Sequence, residues 1–365
     1  MTELPISICK LQNLQTLKLS SNEMTTLPIS ICKLQNLQTL ELSYNNELRE
    51  LPIDTRKLIS LRHLEIYGCG RLTHMPFGLG ELTSLRTLPL FVVGKEISVS
   101  NRRVGGIGEL NGLNHLRGTL MITCLENMRH GGTSSGSTHL KAKQYLRFLA
   151  LQWKPYLYGA EDADANYTAV LEDLQPHPNL KRLDIEGYGG LSFPVWMTVT
   201  MVSSLPYLVQ INLDNCRKCK HLPWFGQLPF LEYLQLSNLS SLEYIHDNST
   251  VESSSSSHPS SSLRGTGAFF PSLQELSLHT LPLLKEWCRE VVVIANADDM
   301  EIAPAALQKV SLLSFPRLAN LEVQDCRSLI SVPLLPSLEK LTMSSTSEKL
   351  LQSMTTRVIE TDSHI

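Results

Sequence analysis

No stretch of this 365-residue sequence approaches the roughly 18 consecutive apolar residues of a bilayer-spanning helix, which argues against membrane insertion. An excess of one charge is also missing. With 32 Lys plus Arg against 35 Asp plus Glu, the formal charge is −3. That balance argues against a general nucleic-acid coat, which needs a strongly basic face. The phosphate-gripping pattern G-x-x-x-x-G-K-[ST] does not occur, and Gly105, Gly106 and Gly108 do not complete G-x-G-x-x-G, so nucleotide binding within this chain has no support. The start, MTELPISICKLQNL, has Glu3 and Pro5 where a signal peptide would carry positive charge and then an apolar block. The expectation is a soluble, unsecreted, cytoplasmic chain. Eight cysteines over this length are too sparse for a disulfide scaffold. What is present is a hydrophobic fraction of 42%, enough for a sizeable core.

The sequence repeats itself. Residues 4–17 read LPISICKLQNLQTL, and residues 27–40 read the same, an offset of 23. A third copy stands at 51–64 and a degenerate fourth, MPFGLGELTSLRTL, at 75–88. Within a copy, Leu14, Leu17, Leu19 and Asn22 spell L-x-x-L-x-L-x-x-N, followed by Leu37, Leu40, Leu42, Asn45 and then Leu61, Leu64, Ile66, Cys69. The L-x-L step has period 2, so both apolar side chains point to one face of a short strand. Leu4/Ile8/Leu11 and Leu27/Ile31/Leu34 step by four and three, the spacing of one face of a helical or 3₁₀ turn. Period and pattern are those of leucine-rich repeats. The expected fold is an α/β repeat: a leucine-rich-repeat solenoid, horseshoe-shaped, with a parallel concave sheet and an irregular convex side.

Further strands fit the template at 85–90, 120–122, 146–151, 180–185, 208–213, 231–236, 273–278, 318–323 and 338–343, giving about twelve units in all. The spacing widens along the chain, so extra residues must loop out near 92–112, 126–142, 154–176, 247–268 and 286–306. This divides the chain into regular repeats at 1–90, an irregular segment at 91–176, irregular repeats with a Ser-rich loop (247–268) at 177–345, and a tail at 346–365. The low-complexity runs at 131–138 and 252–262 are expected as surface loops. The stretch 307–315 half-matches a strand but lies too close to Leu321 for a full unit.

Several tempting motifs have plainer readings. Cys69, Cys216 and Cys326 follow the repeat phase, in the slot that Asn22 and Asn45 occupy. There a small polar group can bond backbone groups left over between units. Cys216, Cys219 and His221 could supply zinc ligands, but one C-x-x-C without a second pair is a weak signal, and no metal or other cofactor is expected. The string GTSSG at 132–136 satisfies G-x-S-x-G, yet its flanks read as loop rather than the strand and helix of a nucleophile elbow. No enzyme is expected.

The later repeats are more distinctive. LRTLPLFVVGKE at 85–96, IGELNGLNHLRGTLMITCLENM at 107–128, KQYLRFLALQWKP at 143–155, VLEDLQPHPNLKRLDIEGYGG at 170–190 and LPYLVQINLDNCRKCKHLPWFGQLPFLEYLQL at 205–236 resemble the repeat region of plant coiled-coil-type nucleotide-binding leucine-rich-repeat (NLR) disease resistance proteins. The resemblance implies recognition of pathogen proteins and restraint of an adjacent nucleotide-binding switch. The coiled-coil and nucleotide-binding modules of that family are not in this chain, which begins inside a repeat. Leu4, Ile8 and Leu11 are therefore expected to face no preceding unit and to promote self-association.

A concave sheet of about twelve units would span on the order of 60 Å. The candidate protein-binding residues on it are Glu65, Tyr67, Phe91, Asp184, Glu186 and Asp214. Tyr67 and Phe91 are expected as exposed aromatic anchors on neighbouring units, and the three aspartate and glutamate positions further along as an acidic patch that steers a basic partner. The function expected is a non-catalytic protein-recognition module related to plant intracellular immunity. Its partner would be a pathogen effector, a host protein or a nucleotide-binding switch domain, without nucleic acid and without membrane insertion. The alternative is a general cytosolic repeat scaffold in signalling.

Overall fold

The computed structural model describes residues 2–95, 104–128, 139–154, 167–247, 270–289, 315–333 and 335–353. The GTSSG string, most of the Ser-rich loop and the half-matching stretch up to residue 314 lie outside the described residues. The chain forms two compact units, Met1–Tyr188 and Gly189–Ile365.

In the first unit, Thr16–Lys18, Thr39–Glu41 and His63–Glu65 form a three-stranded parallel ladder. Leu17 pairs with Leu40 and Leu40 with Leu64, so equivalent positions of successive copies lie side by side. Leu90–Val92, Gly118–Thr123, Leu146–Gln152 and Arg182–Glu186 then pair in that order, all parallel. The second unit repeats the arrangement with Gln210–Asp214, Tyr233–Ser237, Glu275–His279, Asn320–Gln324 and Lys340–Ser344. Parallel neighbours need a crossover that returns the chain to the same end. In the regular copies that return is the 3₁₀ helix Ile6–Lys10, Ile29–Lys33 or Ile53–Lys57, each entered through a proline whose φ is fixed near −60°. Each unit is a leucine-rich-repeat stack, with strands on one side and short helical returns on the other.

The alternation is visible in the burial. Leu40, Leu42, Leu64 and Ile66 are buried, whereas Thr39, Glu41, His63 and Glu65 between them are half-exposed. Burial is weaker in the first copy. Leu11 is 52% exposed and Leu14 and Leu17 half-buried, where their counterparts Leu34, Leu37 and Leu40 are closed off on both sides.

Two slots recur beyond the strands. Two residues after the last inward apolar side chain, the backbone turns left-handed, at Ser21, Tyr44, Gly68 and Cys124 in the first unit and at Asn215, Asn238, Thr280 and Asp325 in the second. The residues there are mostly small or polar, as a positive φ favours; Tyr44 is the exception in size. One residue later comes the Asn/Cys slot. Asn45 is fully buried; its Nδ2 donates to the Leu19 and Leu42 carbonyls at 2.8 and 2.7 Å, and its Oδ1 accepts from the Met24 N–H. Cys69 and Cys326 point their thiols at the Leu42 and Leu278 carbonyls, 3.4 and 3.6 Å away. Cys216 lies beside the Asp214 carbonyl at 3.5 Å, and Cys219 turns to the Gly190 carbonyl at 3.3 Å. The described cysteines are free thiols. Among the described residues, no group of three or more His, Cys, Asp or Glu is placed to hold a metal.

The irregular regions hold more structure than the widened spacing suggests. Val104–Gly105 pairs antiparallel with Met75–Pro76, and Ile107–Gly112 is a 3₁₀ helix packed on Leu79–Glu81. The Glu109 carboxylate ties the two together by accepting the Gly78 and Gly80 N–H groups at 2.9 and 2.7 Å. Thus 104–112, expected as part of an insertion, is an ordered helical return. Tyr167–Asp173 is an α-helix, and Glu286–Arg289 pairs with Tyr244–Asp247 in a second small parallel ladder. Lys143 is fully buried and forms no ion pair among the described residues; its Nζ donates to the Leu110 and Leu113 carbonyls at 2.6 and 3.1 Å.

One expected strand is displaced. His63 meets Thr87 in a single parallel bridge, and the regular ladder resumes only at Leu90–Val92. By that register Pro89 stands where Glu41 and Glu65 stand in the preceding copies, and it has no N–H for the ladder. Beyond it Phe91 pairs with Ile122, an inward position, so the core-facing pair is Leu88 and Phe91 rather than Leu88 and Leu90. Phe91 is 0% exposed. Its expected place as an exposed anchor is corrected: the break at Pro89 moves the alternation by one residue and turns the ring into the core.

Candidate functional site

The open face of the first ladder is built from the residues between the inward leucines. One register row runs Lys18, Glu41, Glu65 and the next Thr16, Thr39, His63. Lys18 and Glu41 form an ion pair at 2.9 Å. His63 Nδ1 lies 2.8 Å from the Thr87 hydroxyl. Glu65 is half-buried, and among the described residues no cation forms an ion pair with it. Burial pushes its carboxyl above the usual carboxylate range; the His63 ring works against that shift and the Glu41 charge adds to it.

Tyr67 follows Glu65 by two residues and is 46% exposed. Its neighbour is not the expected Phe91 but Tyr44 of the preceding copy, itself 55% exposed. The rings meet edge to face with centroids 5.8 Å apart, and the Tyr44 N–H donates to the Tyr67 carbonyl at 2.8 Å. Tyr44 occupies the left-handed slot with φ of 61°. Its ring lies close to Gly68, where an added Cβ would come within 2.8 Å of the ring. Gly68 is thus required twice, for its own φ of 75° and for the closeness of this ring. Tyr44 escapes a reading of strand alternation because it lies past the strand. Its signal is an aromatic in a slot where the flanking copies carry Ser21 and Gly68.

Asp184 and Glu186 stand on a later strand of the first unit, and Asp214 belongs to the second unit. Asp184 is held by Arg182 of the same strand in two hydrogen bonds of 2.9 and 2.7 Å, and that guanidinium stacks 4.3 Å over the Phe148 ring. Its charge is matched on the spot, so Asp184 does not serve as part of an unpaired acidic patch. Glu186 accepts a hydrogen bond from Gln152 at 2.8 Å. Asp214, in the second unit, accepts one from Asn238 at 2.8 Å. Among the described residues no helix is long and apolar enough to cross a membrane.

Comparison with known proteins agrees with this architecture. Residues 107–239 match the family described as R13L1/DRL21 leucine-rich repeats, and residues 12–55 match a two-copy leucine-rich-repeat family. The chain is 39% identical over 159 residues to the putative disease resistance protein RGA1 of Solanum bulbocastanum, an alignment covering 43% of this chain and 15% of that protein. It is 32% identical over 237 residues to the putative disease resistance RPP13-like protein 1 of Arabidopsis thaliana, covering 62% of this chain and 20% of the relative. The chain thus spans a fifth or less of the length of these relatives. Among solved structures, a leucine-rich-repeat protein of Leptospira interrogans aligns with 98% of this chain and 79% of its own at 21% identity and a TM-score of 0.48. By its strands, its turns and its sequence, the chain is a leucine-rich-repeat protein similar to the repeat region of plant disease resistance proteins.

Proposed function

We propose that the chain is a non-catalytic protein-recognition module, related to plant intracellular immune receptors and acting in the cytoplasm in defence against pathogens. Its partner is a pathogen effector, a host protein or a nucleotide-binding switch domain. The observation that carries this reading is the exposed Tyr44–Tyr67 pair on an otherwise polar strand face. Large exposed aromatics with a polar rim are the usual anchors of protein interfaces. The similarity to disease resistance proteins supplies the biological setting. The chemistry of the face supports binding over catalysis: on the open first ladder Lys18 and Glu41 stand as an ion pair, His63 bonds the Thr87 hydroxyl, and Glu65 is a single carboxylate.

An exchange tests the proposal. This chain replaces the aligned repeat segment of a disease resistance protein, and cell death is scored in leaves challenged with a pathogen panel. Recognition should follow the inserted chain and be lost when Glu65→Lys and Tyr67→Ala are combined, at unchanged protein level. Recognition indifferent to that double substitution would sink the reading.

A further inference from the structure

The corner formed by Glu65, Tyr67 and Tyr44 has features that folding alone does not require. Lys18 is engaged with Glu41 and the His63 ring with the Thr87 hydroxyl, while the Glu65 carboxylate has no ion-pair partner among the described residues. The Leu42 N–H donates to the Glu65 carbonyl and the Tyr44 N–H to the Tyr67 carbonyl, so Glu65 and Tyr67 turn the same backbone edge to the preceding copy and their side chains leave on the same side. Tyr44 stands beside Tyr67 in a left-handed backbone position that Ser21, Asn215 and Asn238 fill elsewhere without a ring. A bulky side chain at such a position is strained, and strain of this kind tends to be kept where it serves a site. The two rings and the carboxylate thus form a negatively charged, aromatic corner on an unpartnered sheet face.

We propose that this corner seats a lysine or arginine side chain of a protein partner, with the cationic head on Glu65 and the stem or guanidinium plane against Tyr67 and Tyr44. This rests on the reading of the open face as a recognition surface. Charge complementarity selects the occupant. Glu65, which no cation pairs with among the described residues, would repel an acidic segment, while tyrosine faces attract cations. The corner is open rather than enclosed, with both rings about half-exposed, so a free small cation would leave it mostly wet. A polypeptide segment laid across the strands could cover both rings while it delivers the charge.

The experiment uses fluorescence anisotropy with the whole chain and three fluorescein-labelled heptapeptides, alternating Gly with Arg, Gly with Glu and Gly with Ser. The Gly/Arg peptide should bind best. Glu65→Gln should weaken it about tenfold, and Tyr67→Ala or Tyr44→Asn about threefold or more. Glu275→Gln, an exposed outward-facing carboxylate of a strand in the second unit, should leave it unchanged. Tyr44→Asn puts a residue suited to left-handed backbone in that slot, so its loss of binding should come without a lower melting temperature. If Glu275→Gln weakens binding as much as Glu65→Gln, the attraction is diffuse and the seat is refuted. If the Gly/Glu or Gly/Ser peptide binds as tightly, in a Tyr67-dependent way, the cation assignment fails and the recognition surface stands. If no peptide binds in a way that depends on Glu65 or Tyr67, both fail.

Discussion

Lys143 gives the sharpest prediction, because its charge is enclosed and its partners are neutral. The side chain is fully buried, and its ammonium is met by the Leu110 and Leu113 carbonyls at 2.6 and 3.1 Å, with no carboxylate paired to it among the described residues. Burial lowers its pKa from 10.5 to about 8. The folded pKa is depressed, so between about pH 8 and 10.5 the unfolded chain holds a proton that the folded chain has released. Stability therefore rises with pH across that window, and is lost again as pH falls through the folded value. A shift of this size corresponds to about 3 kcal/mol. Lys143→Met removes the titration and keeps the volume. It also removes a donor, though Leu110 and Leu113 keep backbone partners in the Leu113 and Leu116 N–H groups. The assay is urea denaturation of both chains at intervals from pH 7 to 10. The parent should gain on the variant by roughly 2–3 kcal/mol over that range, its disadvantage being largest near pH 7, where the buried amine is charged. Cys32 and Cys326, pushed up to about 11 by burial, oppose the trend in both chains and cancel in the difference. A difference independent of pH would refute the reasoning.

The repeat itself supplies two more expectations. Leu40→Ala should cost about 2–5 kcal/mol, whereas Thr39→Ala and Glu41→Ala, on the open face, should each cost about 1 kcal/mol or less, as read from urea midpoints. Asn45→Ala leaves the Leu19 carbonyl and the Met24 N–H without the side chain that joins them and should cost about 2–4 kcal/mol; Asn45→Cys, the residue found in the same slot at 69 and 326, should recover part of it in the same assay.

The fold was legible because the sequence states it repeatedly. The identical blocks at 4–17 and 27–40 set the phase, and Leu17 does lie opposite Leu40. The Asn/Cys slot was legible too, since a small donor at a fixed step after a strand has few other uses. The open-face assignments fared less evenly. Leu88-Pro89-Leu90-Phe91 offers two apolar alternations, and only the missing N–H of Pro89 decides between them. Asp184 looks like a free charge when residues are read one strand position at a time; Arg182, two residues earlier and on the same face, neutralises it. Tyr44 lies outside the strand pattern altogether, and its direction follows from a left-handed turn that alternation does not describe.

Phe91 and Tyr67 put the corrected phase to a direct test. Both are large aromatics just past the L-x-x-L of consecutive copies, and simple alternation treats them alike. In the structure Phe91 pairs with Ile122 and is closed off from water, while Tyr67 is half-exposed and touches Tyr44 edge to face. Removing a buried phenyl ring forfeits its transfer energy and leaves a cavity, so Phe91→Ala should cost about 3–5 kcal/mol. Tyr67→Ala loses one aromatic pair and modest burial, about 1 kcal/mol. Urea denaturation of the two variants measures the gap. Equal costs would place both rings on the same face and restore the unbroken phase through Pro89. Unequal costs place the two rings on opposite faces, as the one-residue shift of the alternation at Pro89 requires. The break would then mark where the regular ladder ends and would leave the Tyr44–Tyr67 corner beside its last strand.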